Sequence, residues 1–326
     1  MKITEPKTDE VKETPNEEAE KVPLYGTLQW IYYWSDFEGH LPTPINVSIT
    51  GSIPYTCPEL KWYNFDVFPH KVKLSNTGYT VLIGAKWKAE RPYLEGGPFQ
   101  DKHIFSQIHF HWGADMMEGS DHTVDDRRYP GEMQVTFFRS EYMTQEEALR
   151  HPDGVVMICY LIKYGVNPDK HLSWVVEGFS RIQEAKTSTR IGPEPLSHLL
   201  PMFYEDYFLY WGELRTVKGD SFVVRWLVPR ACLFASFDQM NEFRQLWDPW
   251  DEPNLRNFRP LQQNENRHVF FINSHWSLYN TLLPLPRVPE PSISALSPAY
   301  ENNLSLLPPQ NAYMLPEESK ECEEKL

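Results

Sequence analysis

The segment Phe105-Ser-Gln-Ile-His-Phe-His-Trp-Gly113 sets two histidines, His109 and His111, two residues apart in a run of β-formers. On a strand, residues i and i+2 share a face. Gln107, His109 and His111 therefore project one way, and Ile108, Phe110 and Trp112 the other. Two converging imidazoles make two thirds of a catalytic zinc site, which commonly takes three protein ligands and leaves the fourth position to water. An H-x-H pair is equally the pattern of ordinary strand histidines, so a third donor and its surroundings must decide.

The elements that would hold these side chains read mostly with a period of two. HKVKLSN, YTVLIG, HIFSQIHFHW, GEMQVTFF, VVMICYLIK and SFVVRWLV are short β-rich runs between turn residues, the pattern of a large, twisted, mostly antiparallel sheet in a mainly β (α+β) single domain. A few peripheral helices are expected beside it. Thr144 to Glu147 and Ser236 to Gln239 both fit a capping box, and the second opens a pattern of Phe237, Met240, Phe243 and Trp247 on one side. Leu172, Val175, Phe179 and Ile182 predict a helix over His171 to Lys186, with Gly178 as its weak point.

Composition bounds the rest. The 326 residues carry 14% aromatic side chains, too much ring area for a wholly disordered chain. The net charge of −14 argues against nucleic acid or an anionic membrane surface as partner, because both need clustered Lys and Arg. Residues 1–23 read as an acidic, disordered tail, residues 24–274 as the domain, and residues 275–326, with eight prolines, as a proline-rich tail with an acidic end. Cys57, Cys159, Cys232 and Cys322 are far apart and form no CxxC, so free thiols are expected. With no apolar leader and no run of about 18 apolar residues, the expectation is a cytoplasmic chain without a membrane span.

GGPF at Gly96 to Phe99, then QIHFHWG, then GSDHTVDDRRYPGEMQV at Gly119 to Val135, follow the order and spacing of the α-carbonic anhydrases. LPTPINV, LSNTGYTV, HPDGVVMI, YWGELRT and NFRP extend this resemblance over roughly residues 28 to 273. It implies a twisted sheet with a conical cavity, where zinc-bound hydroxide attacks carbon dioxide to give bicarbonate. Two of the three family zinc ligands correspond to His109 and His111, and the third to Gln134, in Glu132-Met-Gln134. An amide oxygen is a weaker zinc donor than an imidazole nitrogen, so the resemblance implies zinc at reduced affinity or absent.

Other positions depart as well. The proton-shuttle histidine corresponds to Tyr79, whose phenol, with a pKa near 10, does not relay protons at pH 7. The gatekeeper threonine corresponds to Thr216 or to Arg215, according to where a one-residue insertion is placed. Its acidic partner corresponds to Asp121, one methylene shorter than the family's usual Glu. Around the ligands, the resemblance makes Gln107 a partner of His109, Glu132 the partner of the lost third histidine, and Asn257 a backbone partner of His111. It also sets His122 in a buried network with Glu132 and Tyr210.

Three readings follow. One is a carbonic anhydrase-related protein with little or no hydration of carbon dioxide, acting by binding a protein partner. Another is a working hydratase with weakened metal affinity, its substrates carbon dioxide and bicarbonate. A third is a scaffold whose useful surface is the proline-rich tail.

Overall fold

The computed structural model describes residues 41–273, apart from Thr56, Val217, Lys218, Glu265 and Asn266. The two expected tails, 1–23 and 275–326, and the first residues of the expected domain lie outside the described part. The chain divides into two compact units, Met1–Leu285 and Pro286–Leu326, and every described residue belongs to the first.

Fifteen strands follow one another: β1 (Asn46–Val47), β2 (Ile53–Tyr55), β3 (Leu60–Tyr63), β4 (Lys71–Asn76), β5 (Val81–Lys86), β6 (Tyr93–Gly96), β7 (Phe99–Trp112), β8 (Thr123–Val124), β9 (Gly131–Arg139), β10 (Val155–Tyr164), β11 (Thr187–Ile191), β12 (Tyr207–Arg215), β13 (Ser221–Pro229), β14 (Leu233–Ala235) and β15 (Phe270–Ile272). Thirteen of them form one sheet in the order β11-β4-β5-β7-β9-β10-β13-β12-β15-β2, with β14 on β10 and β3-β6 joined to β7. Its pairings are antiparallel except β10–β13, β10–β14 and β15–β2. A mainly β domain around one mostly antiparallel sheet is the architecture expected from the period-two runs.

Both sheet faces are covered, which divides the core in two. Ile108, Phe110, Trp112, Met133, Val135 and Phe137 belong to one cluster, while Met157, Cys159, Leu161, Tyr210 and Trp226 belong to the other. The long β7 serves both faces by slipping phase once. Its register with β9 shifts between Phe105 and Gln107, so Ser106 is an extra residue. Phe105 and Ile108, three apart, thereby both reach the first core cluster. Beyond the bulge strict alternation resumes, with His109 opposite Gln134 and His111 opposite Glu132.

The helices are short. Ser236 closes a full capping box with Gln239 at the head of the helix Phe237–Arg244. Phe243 of that helix packs under the histidine strand, with ring centroids 5.3 Å from Phe110 and 5.4 Å from Trp112. At the other capping site Thr144 accepts from the Glu147 amide at 3.2 Å, ahead of the one-turn helix Gln145–Ala148. The helix predicted over His171 to Lys186 is shorter than expected: Lys170–Val176 is helical, and a separate 3-10 turn follows at Phe179–Arg181. Gly178 lies between them, and a Cβ there would come within 2.6 Å of the Leu74 side chain. Close packing against the sheet outranks the helical period at that point, while Leu172, Val175, Phe179 and Ile182 are all buried. Strand β12 is missing from the period-two reading because seven consecutive residues, Tyr207 to Glu213, are buried and nothing alternates.

Polar groups are also built into this core. His103 on β7 is 1% exposed. Its Nδ1–H donates to the Asp101 carbonyl at 2.8 Å, and its Nε2 accepts from Arg225 Nη2 at 2.7 Å. Burial, reinforced by the Arg225 charge, pushes this imidazole well below its usual 6.5. The unfolded chain then binds a proton that the folded chain refuses, so stability is full above pH 6.5 and is lost as pH falls below it. Urea midpoints measured from pH 7.5 downward should show this as a loss of up to about 1.4 kcal/mol per pH unit for the one proton. His103→Gln should lower stability overall yet remove that one-proton dependence, and an unchanged pH slope in the variant would refute the assignment.

Candidate active site

The site is set by cross-strand neighbours. On β7 and β9, His109 pairs with Gln134 and His111 with Glu132, all on the sheet face that carries Cys159 and Leu161 of β10. The two imidazoles lie 5.4 Å apart between ring centroids, at 70°. His109 Nε2 stands 3.0 Å from Gln134 Oε1. Burial and then the neighbouring His111 push the His109 imidazole down to about 3, although the Asp121 charge and the Gln134 contact act in the other direction.

Glu132 organises this layer from complete burial. Its Oε1 accepts from His122 Nδ1 at 2.8 Å and from Gln134 Nε2 at 2.7 Å, and its Oε2 accepts from the His122 amide at 2.8 Å. Burial would push this carboxyl up. The His122 ring with its hydrogen bonds and the nearby His111 ring outweigh that effect and hold it below its usual 4.5. Because a carboxylate only accepts, these contacts assign hydrogens to its partners. His122 carries its proton on Nδ1, which leaves Nε2 to accept from the Tyr210 hydroxyl at 2.5 Å. Gln134 must turn its NH2 toward Glu132, and toward Asp121 at 3.5 Å, so its oxygen faces His109. That oxygen can only accept, and His109 therefore donates through Nε2–H.

His111 is arranged differently. Its Nδ1 lies 3.3 Å from the Asn257 carbonyl and 3.3 Å from Asp121 Oδ1, both acceptors, so the proton sits there. Its Nε2 is buried with no hydrogen-bond partner among the described residues. Asn257 also ties this end of β7 in place, accepting from the Trp112 amide at 2.7 Å and donating to the carbonyls of Phe110 and Tyr79, each at 2.9 Å.

Asp121 does not meet either gatekeeper candidate. Its Oδ1 accepts from the Arg259 amide at 2.8 Å and its Oδ2 from Arg259 Nε at 3.0 Å. Arg215 and Ser221 close the β12–β13 ladder as a tight hairpin. In its loop Thr216 donates to Asp220 Oδ2 at 3.4 Å, while the exposed Arg215 pairs with Glu213 at 3.5 Å. Tyr79 is 44% exposed and touches the network only through its backbone carbonyl. Gln107, expected as a partner of His109, makes no side-chain hydrogen bond among the described residues, and His109 meets Gln134 through Nε2. The chain thus brings together His109, His111, Gln134, Asp121, Glu132, His122, Tyr210 and Asn257, and leaves Thr216, Arg215, Tyr79 and Gln107 outside the bonded network.

Two features escaped the sequence reading. The Arg259 guanidinium on Asp121 could have been sought in NFRP, where a cation stands two residues after Asn257. The other is the approach of Cys159 to the expected His122–Glu132 pair, which makes a buried trio with candidate ligand atoms all within 4.8 Å of one another. No spacing signals it, and its chemistry does not suit a metal. His122 uses both ring nitrogens, and burial followed by the Glu132 charge pushes the Cys159 thiol well above 9.0, which keeps it protonated.

A family model described as eukaryotic-type carbonic anhydrase matches residues 25–273. The mitochondrial carbonic anhydrase 5B of Rattus norvegicus is 31% identical over 266 residues, which cover 80% of this chain and 81% of that protein. Its Homo sapiens counterpart is 29% identical over the same length, and carbonic anhydrase 3 of Sus scrofa is 28% identical over 249 residues, 75% of this chain and 94% of that protein. The buried polar layer itself can be tested without reference to activity. Tyr210→Phe removes the only donor to His122 Nε2 among the described residues and should cost about 1 to 3 kcal/mol in urea unfolding at neutral pH, whereas a loss near zero would mean that water replaces the hydroxyl.

Proposed function

Because this chain belongs to the eukaryotic-type carbonic anhydrase family, we propose that it is a carbonic anhydrase-related protein with little or no carbon dioxide hydration, acting through binding. One observation carries the reading: Glu132 fixes the Gln134 amide so that its oxygen takes the Nε2–H of His109. The family depends on zinc, and the residues present fit that ion poorly. His109 would have to give up the hydrogen bond to Gln134 and its Nε2 proton before it could offer a lone pair, and the third donor is a neutral amide. The gatekeeper contact to Asp121 is absent as well, its place taken by Arg259.

One observation favours the second reading, a hydratase with weakened metal affinity. His111 Nε2 is a buried lone pair without a partner. His109 Nε2 and Gln134 Oε1 stand 3.0 Å apart, close to the roughly 3.3 Å between two donors of a tetrahedral zinc ion. In that reading His109, His111 and Gln134 would hold the metal, whose service in this family is to acidify a bound water. The binding reading implies a protein partner, and the working enzyme implies carbon dioxide and bicarbonate. A cytosolic setting belongs to the proposal and is supported by free cysteines at Cys57, Cys159 and Cys232.

Metal analysis and stopped-flow hydration on the full chain separate the two. Dialysed against about micromolar free zinc, the wild type should retain well under one equivalent, and Gln134→His should raise zinc affinity by about tenfold or more. Hydration should stay near background in the wild type. A sulfonamide-sensitive rate like that of working family members would reject the proposal and install the second reading.

A further inference from the structure

Outside the histidine site, the same sheet face carries a groove of about 570 Å³ lined by Lys71, Lys73, Lys86 and Arg190 with Gly84 and Ser188. The register explains how these cations meet. Lys71 stands opposite Lys86, and Lys73 lies between Arg190 on one side and Gly84 on the other. Gly84 in turn stands opposite Gln107 of β7. Like charges placed directly across a ladder repel, yet two such pairs occur here, and none of the four cations forms an ion pair among the described residues. The same field reaches His70: partial desolvation, then the charges of Lys88, Lys71 and Arg190, holds its imidazole below the usual 6.5. In a chain of net charge −14 this is a strongly positive concavity.

Its floor is open. A Cβ added at Gly84 would meet nothing within 4 Å, so a side chain could be accommodated there without disturbing the strand. Lys71 and Lys73 alternate along β4 and stand roughly 6.6 Å apart along the strand, which sets two positive centres at a fixed separation. Arg190 adds a planar fork for oxyanions, and the lysines supply point charges. The volume lies within the usual range for small-molecule sites.

We propose that this groove binds a soluble polyphosphorylated small molecule, with one phosphate between Lys73 and Arg190 and another between Lys71 and Lys86, over the open floor at Gly84. The proposal is independent of whether the histidine site holds zinc. Calorimetric titration of the full chain with tripolyphosphate, against orthophosphate at matched ionic strength, tests it. Tripolyphosphate should bind at least about tenfold more tightly than orthophosphate, and Gly84→Val and the double variant Lys73→Gln/Arg190→Gln should each weaken it by about tenfold or more. Gly84→Val keeps every charge and fills only the floor, and its urea midpoint should match the wild type. Unchanged affinity in Gly84→Val would reduce the effect to counter-ion attraction and overturn the site. So would binding to phosphatidylserine vesicles through Lys73 and Arg190 without any response to tripolyphosphate.

Discussion

A carboxylate buried beneath a sheet must be neutralised or surrounded by donors, and Glu132 is surrounded. It takes the His122 ring, the His122 amide and the Gln134 amide group, and each of those contacts commits another residue. His122 is left as an acceptor for Tyr210 on β12, so a single charge links β9 to β12 through the segment ahead of β8. Gln134 is left with its oxygen outward, which gives His109 its proton position. Much of the local arrangement is therefore a solution to the cost of one buried charge. In this family such outer groups orient metal ligands. Here the same geometry pairs every polar atom of Glu132 and both ring nitrogens of His122, while His111 Nε2 is left without a partner among the described residues.

The two imidazoles are chemically unequal for that reason. His111, protonated at Nδ1 between Asp121 and Asn257, presents a bare nitrogen, whereas His109 spends its corresponding nitrogen on Gln134. The difference arises because His109 meets Gln134, its ladder partner on β9, whereas His111 is set by Asp121 and Asn257, which lie off that ladder. Asp121 also accepts from the Arg259 amide and guanidinium, through Oδ1 and Oδ2 in turn. On the proposed reading, the fold and the surrounding polar layer persist around a centre whose donor set has changed.

Much of this was legible in the residues. Alternation placed His109, His111 and Gln107 on one face, and Ser236 with Gln239 announced a helix start that is built as written. Illegible parts had physical causes. Strand β12 is buried on both sides, so it shows no period. The helix after Asp169 stops early because Gly178 lies against Leu74 and Ile191, contacts remote in sequence. The Arg259 contact on Asp121 joins residues far apart in the chain, and NFRP offers the cation without showing which carboxylate it meets. Which of Arg215 and Thr216 stands at the gatekeeper position could not be read from spacing; Arg215 ends β12 beside Glu213, and Thr216 bonds Asp220 in the loop that follows.

The extra residue at Ser106 gives β7 an unusual kind of memory. Everything after it depends on a count: one more or one fewer residue between Phe105 and Ile108 would exchange the faces, sending the imidazoles into the aromatic core and Phe110 into the polar layer. Point substitutions along this strand can accumulate one at a time and leave that parity intact. Insertions and deletions cannot, because parity has no intermediate value. The strand can therefore outlive its chemistry for as long as its length is conserved in this one interval.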